Sequence, residues 1–479
     1  MNKKYLIKKL TRKLLDKKII LSGFIVKIRT MKTKTFIDIR DSSGILQIVV
    51  LDTKLKFFIG NVVEIQGKLK EYFNSKNILQ FELEAEEINL LNSIPEEEWT
   101  FLSEESKMLF RLPYIKQQLY KNLHIKSEFI KFTTNFFTKH YFTMVHTPIL
   151  GSDKSTSGAN VFSTKSKENE YFLSQSPQIF KQTLVCSGVI RYFQFAPCFR
   201  NEDSRLDRQL EFLQLDLEAA FENKQFFISL AKKFLSSFFK PFLIEQDKKF
   251  KWNSISYNKS MHDYGTDSPI MYKNIKLLKD QNQEYFWKDD YNQLFLSNNH
   301  IVKFIDGCYF TNSTNLTQSG VYLKNYLRSV VKNEISCVVV NKFPLFEWNE
   351  EANKYEATHH PFCKSVDGKF SEQFDLVMNG YEIAGGSERI SDKINQMKVL
   401  ENLKQDIQLP LFNFSVPKHS GCAFGIERLL AAFFNSTSIR EWIAFPKTGQ
   451  GKCLTFEKNN SSSIKYVWEQ IEGNRESEK

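Results

Sequence analysis

The stretch CFRNEDSRLDRQLEFLQLDLEAAF, Cys198 to Phe221, holds Arg200, Glu202, Asp203, Arg205, Asp207, Arg208, Glu211, Asp216 and Glu218 between strongly apolar flanks. RYFQFAPCFR before it reads as a strand, and EFLQLDLEAAF alternates apolar and polar residues, so it reads as a second strand. The polar loop between them predicts an antiparallel hairpin. Side chains alternate along a strand, so Phe212, Gln214, Asp216 and Glu218 share one face. A polar face on an inner strand is costly unless it lines a ligand site. The alternative is a solvated hairpin with local ion pairs. Two carboxylates, Asp375 and Glu382, sit seven apart in DLVMNGYE. Paired acids facing a polyphosphate are the hard oxygen ligands that magnesium prefers; otherwise they are ordinary surface acids of a strand. The adjacent His359 and His360 have no partner at metal-ligand spacing.

These residues need elements to position them. Residues 19–90 alternate β-like runs (IILSGFIVKIR, TFIDIRD, ILQIVVL, NVVEIQGKL, ILQFELEAEEINLL) with turns, which predicts a small barrel. LLNSIPEEEWTFLSEES is a polar linker. Ile125, Phe129, Phe132 and Phe136 recur at helical spacing, and FTMVHTPILG reads as a strand ended by Pro148 and Gly151. Residues 272–335 are rich in Asn and Lys, which suggests an inserted subdomain, and strand-like sequence resumes at SCVVVNKFPLFEW.

The chain has 479 residues, enough for two to four domains, and 42% of them are hydrophobic. The net charge of +11 and pI near 9.0 favour a polyanionic partner. Seven scattered cysteines form no C-x-x-C pair, which speaks against a zinc knot or disulfide framework and for reduced thiols in the cytoplasm. No apolar run is long enough to span a membrane, and the basic start lacks a signal-peptide core.

FRNEDSRLDRQLEFLQLDLE resembles motif 2 of the class II aminoacyl-tRNA synthetases, GCAFGIERLLAAFF their motif 3, and FFTKHYFTMVHTPIL their motif 1. QSPQIFKQ, EATHHPF, DLVMNGYEIAGGSERI and IREWIAFPKTGQGKCL narrow the resemblance to aspartyl-tRNA synthetases of the bacterial type, over roughly residues 19–455. The resemblance implies an α+β fold: an antiparallel sheet flanked by helices, with an N-terminal OB-fold barrel. It places an anticodon-binding domain at 1–90, a hinge at 91–120 and a catalytic domain at 121–455, with a reduced insertion at 272–335. A C-terminal extension covers 456–479. It further implies activation of aspartate with ATP and Mg2+, transfer to tRNA(Asp), and a homodimer with Pro148 at its interface.

By the same resemblance, Arg200 meets the α-phosphate, where a fixed, always-charged fork suits phosphate oxygens. Glu202 and Gln209 lie beside the ATP, Phe212 stacks under adenine, and Arg428 covers its other face and reaches the γ-phosphate. Gly425 lets the backbone approach there. Asp375 and Glu382 hold the metal, and Glu382 also faces ATP. Lys181 and Arg389 meet the aspartate side chain; Ser176, Gln178 and Asp216 meet its ammonium; His359 and His360 close over it. Two cations around one carboxylate reject asparagine, whose neutral amide leaves buried charge unpaired. In the barrel, Arg29, Phe36 and Gln47 fall where the family reads anticodon bases by stacking and hydrogen bonding.

The pattern departs at Ser157, where the family carries a glutamate, and at Ala384, which replaces the first of three glycines and tightens the site floor. The insertion is short, and the active site is expected not to depend on it. An asparaginyl-tRNA synthetase is one alternative, which Lys181 argues against. A catalytically silent RNA-binding paralogue is another; intact Arg200, Glu382 and Arg428 argue against it. The basic surplus predicts tRNA binding that weakens steeply between roughly 50 and 200 mM salt. A flat response in a filter-binding titration would assign that charge to something else.

Overall fold

The structure is a computed structural model that describes residues 4–51, 57–73, 79–93, 117–151, 161–202, 207–281, 283–288, 296–297, 300–301, 303–305, 308–311, 313–331, 333–350, 353–405, 407, 409–447 and 451. It divides into one compact unit within Met1–His124 and another at Ile125–Gly451. Ser157, most of the expected hinge and the C-terminal extension lie outside the described residues.

In the first unit, β1 (Lys18–Thr30), β2 (Thr35–Arg40), β3 (Ile45–Val50), β4 (Val62–Phe73) and β5 (Leu79–Asn92) close a barrel in the order β1-β2-β3-β5-β4. Alternate residues such as Ile37, Ile39, Ile48, Ile65 and Leu83 fill its interior. Register shifts at Ile25/Lys27 and Gln66/Gly67 supply the bulges that help strands curl into a closed wall. This is the OB-fold barrel expected from the spacing of apolar runs.

The second unit is built on an eight-stranded sheet. Its strands in chain order are β6 (Thr143–Met144), β7 (Arg191–Phe199), β8 (Glu211–Ala220), β9 (Lys249–Ser256), β10 (Glu334–Asn341), β11 (Gln373–Met378), β12 (Tyr381–Glu388) and β13 (His419–Gly425). The spatial order is β9-β10-β11-β12-β13-β8-β7-β6. The six inner strands pair antiparallel, whereas the edge pairings β9/β10 and β7/β6 are parallel. The helices used below are α1 (Gln117–Lys139), α2 (Gln178–Cys186), α3 (Lys224–Glu245), α4 (Leu316–Val330) and α5 (Ile426–Phe434).

The expected α1 stripe joins the core: Phe129 and Phe136 are buried, with Ile125 and Phe132 packed against them. These residues share one cluster with α3, α5 and the apolar face of β8, Leu215, Leu217 and Ala219. Aromatic rings dominate it; Phe129 meets Phe238 edge-on at 4.9 Å, and Phe239 stacks on Phe433 at 3.8 Å. Strand β10 separates two cores. Cys337 and Val339 face this cluster, while Val338 and Val340 face a second one built around Trp287, Tyr309 and Tyr326 of the inserted region. The insertion therefore shares a core with the sheet rather than standing apart as a lobe.

One element differs from its expectation. FTMVHTPILG is not a single strand: Thr143–Met144 pairs with β7, and Leu150–Gly151 pairs with Phe172 and Leu173 in a separate small sheet. Pro148 lies between them; it has no N–H to give a ladder and is compatible with a chain leaving one sheet for another.

Phe234 is fully buried and touches the rings of Phe129, Phe132, Phe136, Phe137 and Phe424. Phe234→Ala is expected to cost about 3–5 kcal/mol in urea unfolding. A loss well below that range would show that the cluster collapses around the hole.

Candidate active site

The polar face of β8 meets cations from two other elements. On α2, Gln178, Lys181 and Gln182 lie one turn apart and are buried, so this helix turns a polar side inward. Lys181 Nζ donates to Asp216 Oδ1 at 2.8 Å and lies 3.1 Å from Glu218 Oε2. Arg389, just past β12, grips Glu218 with both prongs: Nε to Oε1 at 2.8 Å and Nη2 to Oε2 at 3.0 Å. The four side chains are at most 2% exposed. Two positive and two negative charges thus balance inside the protein.

Their ionisation follows from the count of partners. Burial works to raise Glu218, but Arg389 and then Lys181 outweigh it and hold the carboxyl down to about 2. At Asp216 burial outweighs Lys181 and Arg389, and the neighbouring Glu218 carboxylate adds to it, so its carboxyl is raised. Asp216 Oδ2 and the hydroxyl of Tyr192 are both buried outside strict hydrogen-bond geometry, and the hydroxyl lies against the Asp216 carboxylate. Gly421 on β13 permits the cluster: a Cβ there would stand 1.9 Å from Glu218 Oε2. Ser387 Oγ accepts from Arg389 Nη1 at 2.5 Å, and His360 abuts the same guanidinium. Burial, then Arg389, keeps both His359 and His360 below their ordinary basicity. His359 is exposed toward the cavity, whereas His360 is half-buried.

A cavity of about 370 Å³ opens over this cluster. Its walls include Ser176, Gln178 and Lys181 beside and on α2, and Arg200, Glu202, Gln209, Phe212 and Asp216 on the charged hairpin. His359, His360, Glu382, Arg389 and Arg428 complete the expected set. Residues up to 252 positions apart, from Ser176 to Arg428, thus converge on one space. The Arg200 guanidinium sits 5.3 Å from the Phe212 ring and forms no ion pair among the described residues. Glu202 pairs with Arg208 at 2.7 Å, and Gln209 Oε1 accepts the Lys447 N–H at 2.8 Å. Arg428, in the first turn of α5, donates from Nη1 to the Glu382 carbonyl at 3.2 Å and from Nε to the Asp207 carbonyl at 3.3 Å.

Asp375 lies buried on β11 on the same side of the sheet as Glu382 and His359: a Cβ on Gly385 would meet Asp375 Oδ1 at 3.2 Å, His359 Cε1 at 3.2 Å and Glu382 Oε1 at 3.5 Å. Burial, then the Glu382 carboxylate, raises the Asp375 carboxyl well above the usual range. Ala384 lines the cavity and also belongs to the core. Gly425 lines it too, and its missing Cβ would meet only Arg428 Cβ, at 3.7 Å, so the protein's own packing does not demand glycine there.

Some wall and support residues went unassigned in the sequence. Glu218 was visible on the polar face, but nothing in the spacing paired it with an arginine 171 positions away. Glu427 ties three elements together: Oε1 accepts from Lys126 Nζ of α1 at 2.6 Å, and Oε2 accepts the Leu213 N–H of β8 at 3.3 Å. Its signal was only adjacency to Arg428. In the barrel, Arg29 donates to Asp38 Oδ1 at 3.0 Å and Gln47 Oε1 at 2.9 Å, and its guanidinium lies 5.8 Å from the Phe36 ring. The barrel trio is therefore contiguous on the outer surface. Pro148 is exposed beside Ile149 and Leu150, which are 40% and 52% exposed.

The chain matches the class II tRNA synthetases (D, K and N) over residues 105–449 and the OB-fold nucleic acid binding domain over 19–91. It is 31% identical to the aspartate–tRNA(Asp/Asn) ligase of Natranaerobius thermophilus, covering 94% of this chain and 95% of that one. It is 30% identical to the aspartate–tRNA ligase of Thermosipho africanus, over 91% and 92%. Asparaginyl-tRNA synthetase from Pyrococcus horikoshii, solved with asparaginyl-adenylate, shares the fold with a TM-score of 0.68 at 20% identity, covering 94% of this chain and 99% of that one. The chain belongs to the class II tRNA synthetases, and within them to the aspartate–tRNA ligases.

The lowered Glu218 carboxyl contributes stability that is present above the free glutamate value of 4.5 and is lost as pH falls toward about 2. In Glu218→Gln, the fall in unfolding free energy below pH 4.5 should be shallower than in the parent, by up to about 1.4 kcal/mol per pH unit. Equal slopes would mean that the two cations do not hold this carboxylate ionised.

Proposed function

We propose that the chain activates L-aspartate with ATP and transfers it to the 3′ end of tRNA(Asp), as an aspartate–tRNA ligase. The observation that carries this reading is the buried Lys181–Asp216–Glu218–Arg389 cluster at the floor of the cavity. Aspartate brings an ammonium and a side-chain carboxylate together. Asp216 Oδ2, the oxygen that Lys181 does not bond, suits the ammonium, with Ser176 and Gln178 beside it. That contact frees Lys181 to turn toward the side-chain carboxylate, next to Arg389. Asparagine offers an amide in the same place and leaves the two cations without their added charge.

In the first step an oxygen of the aspartate α-carboxylate attacks the α-phosphorus of ATP. The bond from that phosphorus to the bridging oxygen breaks, and pyrophosphate leaves with the electron pair. No side chain acts as nucleophile; positioning and charge stabilisation suffice. Arg200 is free to take the α-phosphate oxygens, with adenine between Phe212 and Arg428 and with Glu202 and Gln209 beside the nucleotide. His359 and His360, kept neutral, close over the substrate without adding charge. In the second step a terminal ribose hydroxyl attacks the aspartyl carbonyl, an ester forms, and AMP departs with the proton.

The Asp375–Glu382 pair fits a divalent cation, since burial and then the Glu382 carboxylate raise the cost of charge on Asp375, which a hard cation would offset. No cluster of three metal-ligating side chains occurs among the described residues, so the phosphates and water would complete the coordination of Mg2+. Such an ion neutralises triphosphate charge as pyrophosphate forms. The trio of exposed Arg29 and half-buried Phe36 and Gln47 supports anticodon binding by the barrel, and the exposed apolar strip at Pro148, Ile149 and Leu150 supports a homodimer with Pro148 at its interface. Free Cys186, Cys198, Cys337, Cys363 and Cys422 fit a cytoplasmic enzyme. No helix among the described residues is long and apolar enough to cross a membrane.

Lys181→Met should lower aspartate-dependent ATP–pyrophosphate exchange, as kcat/KM, by about 10²-fold or more, because a buried pair loses one partner. ATP affinity should hold. An unchanged aspartate KM in a folded variant would remove Lys181 from substrate recognition.

A further inference from the structure

The β11–β12 hairpin turns through Asn379 and Gly380, whose φ angles are 48° and 76°. Asn-Gly is the pair that accepts positive φ at both central positions of a tight hairpin. Tyr381 and Glu382 follow at once. Three elements grip this turn. Asn379 Oδ1 accepts the Ser336 N–H of β10 at 3.1 Å, and Asn379 Nδ2 donates to the Ala432 carbonyl of α5 at 3.0 Å.

The third grip comes from α4, in the inserted region. Arg328 donates from Nε to the Asn379 carbonyl and from Nη2 to the Gly380 carbonyl, both at 3.1 Å. Its guanidinium lies 4.0 Å from the centre of the Tyr381 ring. One turn earlier, the stem of Lys324 fills the space that glycine leaves open; a Cβ on Gly380 would stand 2.8 Å from Lys324 Cδ. Neither cation has a carboxylate in salt-bridge range among the described residues. Arg328 is instead spent on two backbone carbonyls and a ring face, all belonging to the turn. From that turn the linkage continues: Glu382 gives its carbonyl to Arg428 Nη1 at 3.2 Å.

We propose that Arg328 is a positioning residue for the ATP end of the site: by clamping the Asn379–Tyr381 turn it fixes Glu382 and, through it, Arg428. No described residue of the inserted region lines the cavity, yet the region sets the geometry of the carboxylate assigned to magnesium. The expectation that the site is independent of this region therefore does not extend to α4. The inference rests on the reading of Glu382 as a residue that faces ATP and magnesium.

The test uses the full chain with Arg328→Met, which keeps the stem and loses the donors, Arg328→Lys, and Val321→Ala on an exposed part of α4. Binding of α,β-methylene-ATP is followed by calorimetry across a magnesium titration, alongside the aspartate KM and the unfolding temperature. Loss of a partner that orients a metal ligand weakens metal affinity by about 10–100-fold. Arg328→Met should shift the magnesium dependence by that order and leave the aspartate KM in place; Arg328→Lys should recover part of it, and Val321→Ala should match the parent. A lowered unfolding temperature with unchanged magnesium dependence would overturn the proposal and leave Arg328 a stability residue. Should Arg328→Met not fold, Tyr381→Leu probes the same clamp: an unmoved magnesium dependence there overturns the proposal equally. A parent enzyme with Arg328-sensitive, magnesium-dependent nucleotide binding but no aspartate-dependent exchange would refute the functional reading and uphold this one.

Discussion

Two cations and two carboxylates are buried together, each at most 2% exposed, and each depends on its neighbours to offset the loss of water. Moving any one of these charges out of water alone costs several kcal/mol, and only mutual contact offsets that cost. The cluster therefore dictates structure well beyond itself. It requires an inner strand, β8, to be polar on one face. It requires α2 to bury Gln178, Lys181 and Gln182 where a helix ordinarily buries leucine. It requires Gly421, because the Glu218 carboxylate occupies the volume of a Cβ. Ser387 and His360 then satisfy the remaining Arg389 donor.

Such an arrangement is stable only on a stiff support. The opposite face of β8 supplies one: Leu215, Leu217 and Ala219 are buried against the phenylalanines of α1, α3 and α5. A single strand thus carries a dry core on one side and a charged floor on the other. Glu427 couples the two sides. It receives Lys126 from α1 and the Leu213 N–H next to Phe212, while its neighbour Arg428 reaches across the cavity. The helix bearing motif 1, the strand bearing motif 2 and the helix bearing motif 3 are consequently locked at one acid.

What could be read from the residues alone follows the range of the interaction. Alternation along a strand is local, so the polar face of β8 was legible, as were the barrel strands and the α1 stripe. Long-range partners were not. Nothing near Glu218 in sequence announces Arg389, and nothing near Arg328 announces the Asn379 turn. FTMVHTPILG looked like a strand because its β-formers are contiguous; the switch between sheets at Pro148 depends on which neighbours are present on either side. The family resemblance gathered the cavity residues into one space and set Asp375 beside Glu382, a pairing that no local pattern announces. Composition set the inserted region apart, whereas its aromatic core is continuous with the sheet through Val338 and Val340.

The two ends of the cavity differ in how far they are organised before substrate arrives. At the end proposed for the amino acid, Lys181 and Glu218 are at most 2% exposed and each charge meets an opposite one. At the end proposed for the nucleotide, the side chains of Glu382 and Arg428 are 48% and 27% exposed and stand 3.9 Å apart, and Arg200 has no acid partner among the described residues. Rigid, desolvated charge discriminates well because a wrong ligand leaves it unpaired, and that is what separation of a carboxylate from an amide demands. Loose, partly solvated charge suits a triphosphate, whose own charge and metal can draw the arginines into place. The clamp on the Asn379 turn fits that division: where side chains are free to move, the backbone that carries them must not be.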